Sequence, residues 1–237
     1  MTRQRPFAGV LVAAAGAAVA AIVWSSVWGR GVCFRWHPPG TRWRQSMRSA
    51  LPAKAATALK ARPACVVFDL DGCLWYPDMY ELWGGGAPFT KQRDGTLLDV
   101  RGEPVALKSG VRMVMNELAD DPNWKGVTVA AASCSDEPDW ARECLAKFET
   151  GVERRVLKDV VAIARIHKGD KKTHMRSIAD EADCAFEDMI FFDNEQYNLL
   201  SVCQLGVTCI YCPGGVTEFV WRQAMEAFPK PGKVIRI

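Results

Sequence analysis

The first 68 residues of this 237-residue chain lack aspartate and glutamate, although they hold ten of its 30 lysines and arginines. The remaining residues therefore carry 20 basic and 27 acidic side chains, a net charge of −7. A basic segment thus precedes an acidic domain. Because the overall charge of +3 hides this division, it does not indicate nucleic-acid binding, and we predict no nucleic-acid partner.

Histidine is scarce, and its spacing excludes a zinc site of the usual kind. His37, His167 and His174 do not complete a ligand set with Cys209 and Cys212, which form the chain's CxxC pair. The nine cysteines are an odd number, and the domain is large enough to fold without disulfides, so we interpret them as reduced thiols. An apolar content of 49% excludes a mostly disordered chain.

Charge is also absent from residues 6–29, and residues 8–28 within this stretch are almost wholly apolar. A run of this length can span a bilayer or act as a secretory signal. Residues 30–62 add eight basic side chains and no acid, a composition typical of organelle transit peptides. We predict that residues 1–62 are a cleaved leader for a plastid, a mitochondrion or the secretory route. The alternatives are a membrane anchor in contact with the bilayer through residues 8–28, and a solvated linker over residues 30–62.

Residues 63–237 alternate between short apolar runs and stretches of helical periodicity, with no internal repeat. We predict strands at 65–70, 126–133, 189–192 and 207–211, and helices at 105–118, 135–148, 170–182, 195–204 and 216–228. Residues 156–166 are ambiguous. This alternation indicates βαβ units, and therefore a Rossmann-like α/β domain with a parallel sheet and helices on both of its faces.

Reactive side chains follow the ends of the predicted strands. Asp69 and Asp71 follow the first strand, Ser133 ends the second, Asp193 follows the third, and Lys171 opens a helix. Ligands of open parallel sheets bind at the carboxyl ends of the strands, so we expect these side chains to converge. Three carboxylates at one point favour a hard cation with oxygen ligands, such as Mg²⁺. A lysine and a hydroxyl beside them would bind phosphate.

At these residues the chain resembles the haloacid dehalogenase superfamily of aspartate-nucleophile phosphatases. The segments that are similar to its four motifs, in order, are FDLDGCLW (68–75), VAAASC (129–134), GDKKTH (169–174) and FFDNE (191–195). Together with LGVTCIY (205–211), they resemble the magnesium-dependent phosphatase-1 group of this superfamily. Each motif alone is weak, but the ordered set is specific, and it covers about residues 64–230.

The resemblance implies a magnesium-dependent phosphomonoester hydrolase. Asp69 would attack phosphorus and form an aspartyl-phosphate, and Asp71 would protonate the leaving oxygen and then activate water. Mg²⁺ would bind the side chains of Asp69 and Asp193 and the backbone carbonyl of Asp71. A catalytically inactive, phosphate-dependent binding module and a phosphotransferase are the alternatives.

The resemblance also implies the phosphate-binding residues. Ser133 and Lys171 would contact the phosphoryl group, and Cys134 would lie beside the substrate. Lys172 competes with Lys171, but neighbouring residues of a helix point about 100° apart, so only one can face the site. The family spacing favours Lys171.

Three residues depart from the family pattern. Cys73 stands where the superfamily usually has threonine, Cys134 stands where this group often has arginine, and Asn194 replaces a frequent second acid. The loss of a hydroxyl at residue 73 removes one hydrogen bond of the nucleophile loop. We expect Asn194 to weaken Mg²⁺ binding without abolishing it.

The spacing of the motifs leaves no room for a cap domain. Asp71 and Ser133 are 62 residues apart, and Ser133 and Lys171 are 38 apart. Helices, strands and loops of the main domain use most of both intervals, and an independent domain needs at least ~50 residues. We therefore predict a capless, open site, roofed by the loop of residues 74–89. Such a site would accept a phosphorylated small molecule or a phosphopeptide, of the phosphotyrosine or phosphosugar type.

Overall fold

The computed structural model describes residues 61–237. The predicted leader over residues 1–62 lies almost entirely outside the described residues and stays a prediction. Within residues 61–237, no helix has the length and apolar character needed to cross a membrane.

The described residues form ten strands and six α-helices, joined by loops and short 3₁₀ turns. In chain order they are β1 (Cys65–Phe68), β2 (Trp75–Tyr76), β3 (Thr90–Lys91), β4 (Leu97–Leu98), β5 (Pro104–Leu107), α1 (Val111–Asp120), β6 (Thr128–Ser133), α2 (Pro138–Lys147), α3 (Leu157–Val160), β7 (Ile163–Ile166), α4 (Lys171–Ala182), β8 (Met189–Asp193), α5 (Gln196–Val202), β9 (Thr208–Tyr211), α6 (Glu218–Ala227) and β10 (Val234–Arg236).

A six-stranded parallel sheet with the order β10-β9-β8-β1-β6-β7 forms the centre of the domain. Every residue of β1 is buried, as expected for a central strand covered on both faces. The chain places β6 on one side of β1 and β8 on the other. The order of the strands therefore reverses at β1, and this switch point is where open α/β sheets bind ligands.

Helices cover both faces of this sheet, as the sequence predicts. On one face α1, α2 and α6 pack against side chains that include Val66, Phe68 and Phe192, and the rings of Phe68 and Phe192 stack at 5.1 Å. On the other face α4 and α5 pack against Val67 and Phe191. Neighbouring residues of one strand thus belong to different halves of the core, which is the alternation that a pleated strand imposes.

A second, antiparallel sheet with the order β2-β5-β4-β3 occupies the interval between Asp71 and Ser133. Its strands are only two to four residues long. Trp75, Leu97 and Val105 of this sheet are buried in the same cluster as the face of the main sheet that contains Phe68. The small sheet is therefore an extension of the main core, and the domain is capless.

The helix predicted over residues 105–118 differs from the structure. Residues 104–107 form β5, and the helix begins only at Val111. Val105 pairs with Leu97 and Leu107 pairs with Trp75, and these cross-strand contacts override the helical periodicity. The ambiguous residues 156–166 hold α3 and β7, and the edge strand β10 is an addition to the predicted elements.

Candidate active site

The predicted site residues meet at the carboxyl ends of β1, β6 and β8. Asp69, Asp71, Ser133, Cys134 and Lys171 line one cleft of about 350 Å³. Asp193 is completely buried below it, and its Oδ2 lies 3.4 Å from Lys171 Nζ. The strand ends thus bring together every residue that the sequence proposes for the site.

Lys171 is the cation at the centre of this cluster. Asp170 caps α4 by accepting a hydrogen bond from the Lys172 amide at 2.6 Å, so Lys171 is the first residue of the helix. Its ammonium donates to Asp69 Oδ1 and, at 2.6 Å, to the Ala132 carbonyl. Burial alone would lower the pKa of Lys171, but the charges of Asp69 and Asp193 outweigh it and hold this pKa above its ordinary value.

Lys172 points away from the cleft. Its side chain is exposed to solvent and donates to Gln204 Oε1 at 2.7 Å. The two lysines therefore separate as the helix periodicity predicts, with Lys171 inside the site and Lys172 outside it.

Asp193 ends β8 with both of its carboxylate oxygens bonded. Oδ1 accepts from the Glu195 amide at 2.7 Å, and Oδ2 accepts from Asn198 Nδ2 at 3.0 Å. Burial and the charge of Asp69 raise the pKa of Asp193 despite these bonds and the nearby Lys171. Asn198, on the first turns of α5, is a site residue that sequence reasoning missed; its only signal is that it follows Asp193 by five residues.

Asp71 has a different environment from the other two aspartates. Its Oδ1 accepts a hydrogen bond from the indole Nε1 of Trp75 at 2.7 Å. Burial and the charge of Asp69 raise the pKa of Asp71 to about 7. No lysine or arginine of the described residues forms an ion pair with it. A carboxyl group with a pKa of about 7 is protonated in about half of the molecules at that pH, and its protonated form can give a proton to a leaving group.

The oxygen groups at the bottom of the cleft fit a magnesium ion. Asn194 lines the cleft, and its Oδ1 is buried without a hydrogen-bond partner in the described part of the chain. Gly72, at φ +69°, approaches the same side chain so closely that an added Cβ would lie 2.4 Å from Asn194 Nδ2. Together with the carboxylates of Asp69 and Asp193, this unpartnered oxygen gives the all-oxygen surroundings that Mg²⁺ prefers.

A cluster of three or more histidine, cysteine, aspartate or glutamate side chains placed for a metal is absent from residues 61–237. That absence is compatible with magnesium, which keeps several waters and takes only one or two carboxylates from a protein.

Ser133 and Cys134 form the wall of the cleft at the end of β6. Ser133 is 1% exposed, and its Oγ accepts from the Ser135 amide at 3.2 Å. The Cys134 thiol donates to the Gly169 carbonyl at 3.2 Å and lies 4.0 Å from His174 Nδ1. Burial lowers the pKa of His174 to about 4. Because neither Cys134 nor a neutral His174 supplies a positive charge, Lys171 is the cation available to an anion here.

Cys73 helps to hold the loop after β1 in place, at a position where the superfamily usually has threonine. The Cys73 thiol donates to the Phe192 carbonyl at 3.5 Å and lies 3.9 Å from the thiol of Cys212. Cys73 is fully buried, so it supports the loop through packing and a weak hydrogen bond rather than through a hydroxyl.

The mouth of the cleft is acidic and aromatic, a feature that sequence reasoning did not find. The side chains at this rim are Asp78, Tyr80, Asp136, Glu195 and Tyr197. Burial, followed by the charge of Glu81, raises the pKa of Asp78 to about 6. Two other aromatic residues of the same loop lie outside this lining, since Trp83 is exposed and Phe89 is buried.

Fold and site together define a hydrolase of the haloacid dehalogenase class. The sequence model of the acid phosphatase family matches residues 61–231. The chain is 35% identical over 170 residues to magnesium-dependent phosphatase 1 of Homo sapiens, an alignment that covers 71% of this chain and 88% of that protein. It is 32% identical over 154 residues to a HAD-like hydrolase superfamily protein of Schizosaccharomyces pombe, with coverage of 62% and 83%.

The chain belongs to the acid phosphatase family. This confirms the resemblance to the haloacid dehalogenase superfamily and to its magnesium-dependent phosphatase-1 group. Among solved structures, the phosphatase-containing N-terminal part of a Bacteroides fragilis protein, complexed with Mg, is similar at 15% identity and a TM-score of 0.48. That likeness covers 73% of this chain and 42% of the other.

Proposed function

We propose that this phosphatase hydrolyses phosphomonoesters in the presence of Mg²⁺ through a phosphorylated Asp69. The observation that supports it best is the contrast between two aspartates of one loop. Asp69 is bonded to the ammonium of Lys171, whereas Asp71 lacks an ion pair in the described residues and has a pKa of about 7. The first is kept as a charged nucleophile and the second as a proton donor.

The residues of the site divide the reaction between them. A carboxylate oxygen of Asp69 attacks phosphorus while the bond to the leaving oxygen breaks, and Asp71 gives that oxygen a proton. Asp71, now a carboxylate, takes a proton from the water that hydrolyses the aspartyl-phosphate. Lys171 and Ser133 hold the phosphoryl oxygens in place during both steps.

Mg²⁺, when bound, would supply positive charge against the phosphoryl oxygens. Asp69, Asp193 and the backbone carbonyl of Asp71 would hold it, and the Asn194 amide oxygen would bind a water of its coordination shell. The human relative is named as a magnesium-dependent phosphatase, which supports this cofactor.

We infer that the substrate is a phosphomonoester with an accessible, bulky leaving group, such as a phosphotyrosyl peptide or a phosphosugar. The support is the capless cleft, whose mouth carries the exposed rings of Tyr80 and Tyr197. An open site also gives water access, which favours hydrolysis over phosphoryl transfer to another acceptor. The retained Asp69, Asp71 and Lys171 argue against an inactive binding module.

The proposal is tested with the purified chain and a panel of phosphoesters, each measured with Mg²⁺ and with excess chelator. We expect turnover of bulky and small esters with Mg²⁺, loss of activity in the chelator, and recovery on adding Mg²⁺ back. Asp69→Asn should reduce turnover at least about 10³-fold, while the exposed Lys172→Ala variant should remain active. Full activity in the chelator would contradict the metal requirement, and turnover of compact metabolites alone would contradict the open-site substrate class.

A further inference from the structure

Trp75 is fully buried, and its contact with Asp71 constrains the Asp71 carboxyl group. The indole Nε1 donates to Asp71 Oδ1 at 2.7 Å, and the backbones of the two residues form an isolated β-bridge. An indole N–H can only donate a hydrogen bond, so Oδ1 must be the acceptor. The carbonyl oxygen is the stronger acceptor of a protonated carboxyl group, so this bond favours Oδ1 as the carbonyl oxygen and Oδ2 as the oxygen that carries the proton.

The indole is held in place by the surrounding fold. Trp75 begins β2 and pairs with Leu107 of β5, and its ring stacks on Phe148 with 5.9 Å between centroids. The ring cannot rotate without opening this part of the core. The small antiparallel sheet thus fixes the Nε1 hydrogen that Asp71 accepts.

Ser135 is the other hydrogen-bonding neighbour of the Asp71 side chain. A serine hydroxyl rotates and can donate or accept, so it adapts to either orientation of the carboxyl group. The Trp75 indole can neither rotate nor accept a hydrogen bond. It therefore determines which of the two carboxyl oxygens of Asp71 is the acceptor.

We propose that Trp75 is the positioning residue of the general acid, because it fixes the Asp71 carboxyl group with Oδ2 as the oxygen that carries the proton. This inference rests on the proposed function, in which Asp71 protonates the leaving group. As the bond from Asp69 to phosphorus forms, the ester bond breaks, and its electron pair takes the proton from Asp71 Oδ2. Trp75 lines no part of the cleft and acts only through Asp71.

Two substrates with different leaving groups separate this role from a merely structural one. A nitrophenolate leaves without a proton, whereas an alkoxide must be protonated as it leaves. Trp75→Phe removes the N–H and keeps an aromatic ring. We expect kcat/KM for an alkyl phosphate to fall by about tenfold or more, and kcat/KM for nitrophenyl phosphate to fall by less than about threefold.

Trp221→Phe is the matched control. Trp221 is also fully buried, and its indole donates to a carboxylate, Glu117 Oε1, at 3.0 Å, without contact to Asp71. The Trp221→Phe variant should lower kcat/KM for the two esters equally or not at all. Asp71→Asn should show the same discrimination as Trp75→Phe, and the double variant should discriminate no more than Asp71→Asn alone.

Equal losses on the two esters in an otherwise active Trp75→Phe enzyme would overturn the role of Trp75 and leave the proposed function standing. A wild-type enzyme that hydrolyses neither ester would overturn both. If Trp75→Phe does not fold, incorporation of benzothienylalanine at position 75 keeps the bicyclic ring and removes only the N–H. The change in kcat/KM relative to the wild type, measured with each of the two esters, then decides the outcome.

Discussion

At the scale of single residues, one ammonium group is shared unevenly among three carboxyl groups, of which Asp69 and Asp193 are buried and Asp71 is half-buried. Lys171 bonds Asp69 and lies 3.4 Å from Asp193 Oδ2, whereas the hydrogen bonds of Asp71 within residues 61–237 come from the indole of Trp75 and a serine. The pKa of Asp71 is therefore raised to about 7 from its ordinary value of 3.8. This uneven sharing supports the proposed division of work, with Asp69 as nucleophile and Asp71 as acid.

This raised pKa predicts a pH-dependent cost to folding in the metal-free protein. Because folded Asp71 holds its proton more tightly than unfolded Asp71, the contribution of Asp71 to stability is greatest below about pH 4 and falls as the pH rises toward 7. Asp71→Asn should stabilise the protein at pH 8 by on the order of 1–2 kcal/mol and change it little at pH 4. Chemical unfolding at both pH values measures this.

The control for that experiment is Asp180→Asn on the exposed side of α4, which should leave the pH profile as in the wild type. Asp193, whose pKa is also raised, adds to the same slope, so the asparagine at position 71 should flatten it only in part. An unchanged slope in Asp71→Asn would show that Asp71 is already ionised in the folded protein at low pH.

Two substitutions of Asn194 should change the affinity for Mg²⁺ in opposite directions. Its buried Oδ1 has no partner among the described residues, so it is available to a water bound to Mg²⁺. Asn194→Ala should raise the Mg²⁺ concentration for half-maximal activity by about tenfold, and Asn194→Asp, which adds an acid of the same shape, should lower it. Activity measured against Mg²⁺ concentration, with calorimetry of Mg²⁺ binding, gives both values. Identical Mg²⁺ dependence in the two variants would exclude Asn194 from the metal site.

At the scale of elements, the sequence predicts the strands and helices whose positions depend on residues close together in the chain. The buried runs of β1, β6 and β8 and the helix predicted over residues 170–182 are found where the pattern indicates. Asp69, Lys171 and Asp193 follow from these boundaries, because a residue at a strand or helix end has a defined position in an α/β fold.

The elements that the sequence did not predict depend on contacts between distant residues. The strand β2 has two residues, which is too short for any periodicity, and it forms only by pairing with β5. The contact of Trp75 with Asp71 and the position of the rim tyrosines at the cleft were missed for the same reason. A fully buried tryptophan is also typical of an ordinary core, so its contact with Asp71 had no sequence signal.

Asp99 is the residue that stabilises the small sheet. It is 5% exposed and accepts hydrogen bonds from the amides of Gly86 at 3.0 Å and of Arg101 and Glu103 at 2.8 Å. Asp99→Ala leaves three donors without their acceptor and should cost about 2–3 kcal/mol of unfolding free energy. It should also speed hydrogen exchange over residues 84–103.

The exposed Asp94, which accepts from the Thr96 amide at 2.9 Å, provides the matched control. Asp94→Ala should cost less than about 1 kcal/mol, since water replaces the lost acceptor. Equal costs for the two alanine variants would mean that burial of Asp99 contributes nothing to the small sheet.

At the scale of the whole molecule, charge divides the chain into a basic segment and an acidic domain. The acidic phosphatase domain follows an acid-free segment that contains the apolar residues 8–28. We propose that this segment directs the domain to a membrane-bounded compartment. A fluorescent reporter fused to residues 1–62 should enter an organelle or a membrane fraction, and a shortened product would indicate cleavage. Diffuse cytosolic fluorescence of the uncleaved fusion would contradict both targeting and anchoring.

The identity of the phosphorylated residue is tested most directly by mass spectrometry of the enzyme quenched in acid during turnover. Asp71→Asn, which slows hydrolysis of the intermediate, should accumulate protein heavier by one phosphoryl group. Borohydride reduction of the acyl phosphate should then convert residue 69 to homoserine. We expect this modification at Asp69 in the Asp71→Asn enzyme and no such modification in Asp69→Asn. A phosphoryl group on Ser133, Cys134 or His174, or full turnover by Asp69→Asn, would contradict it.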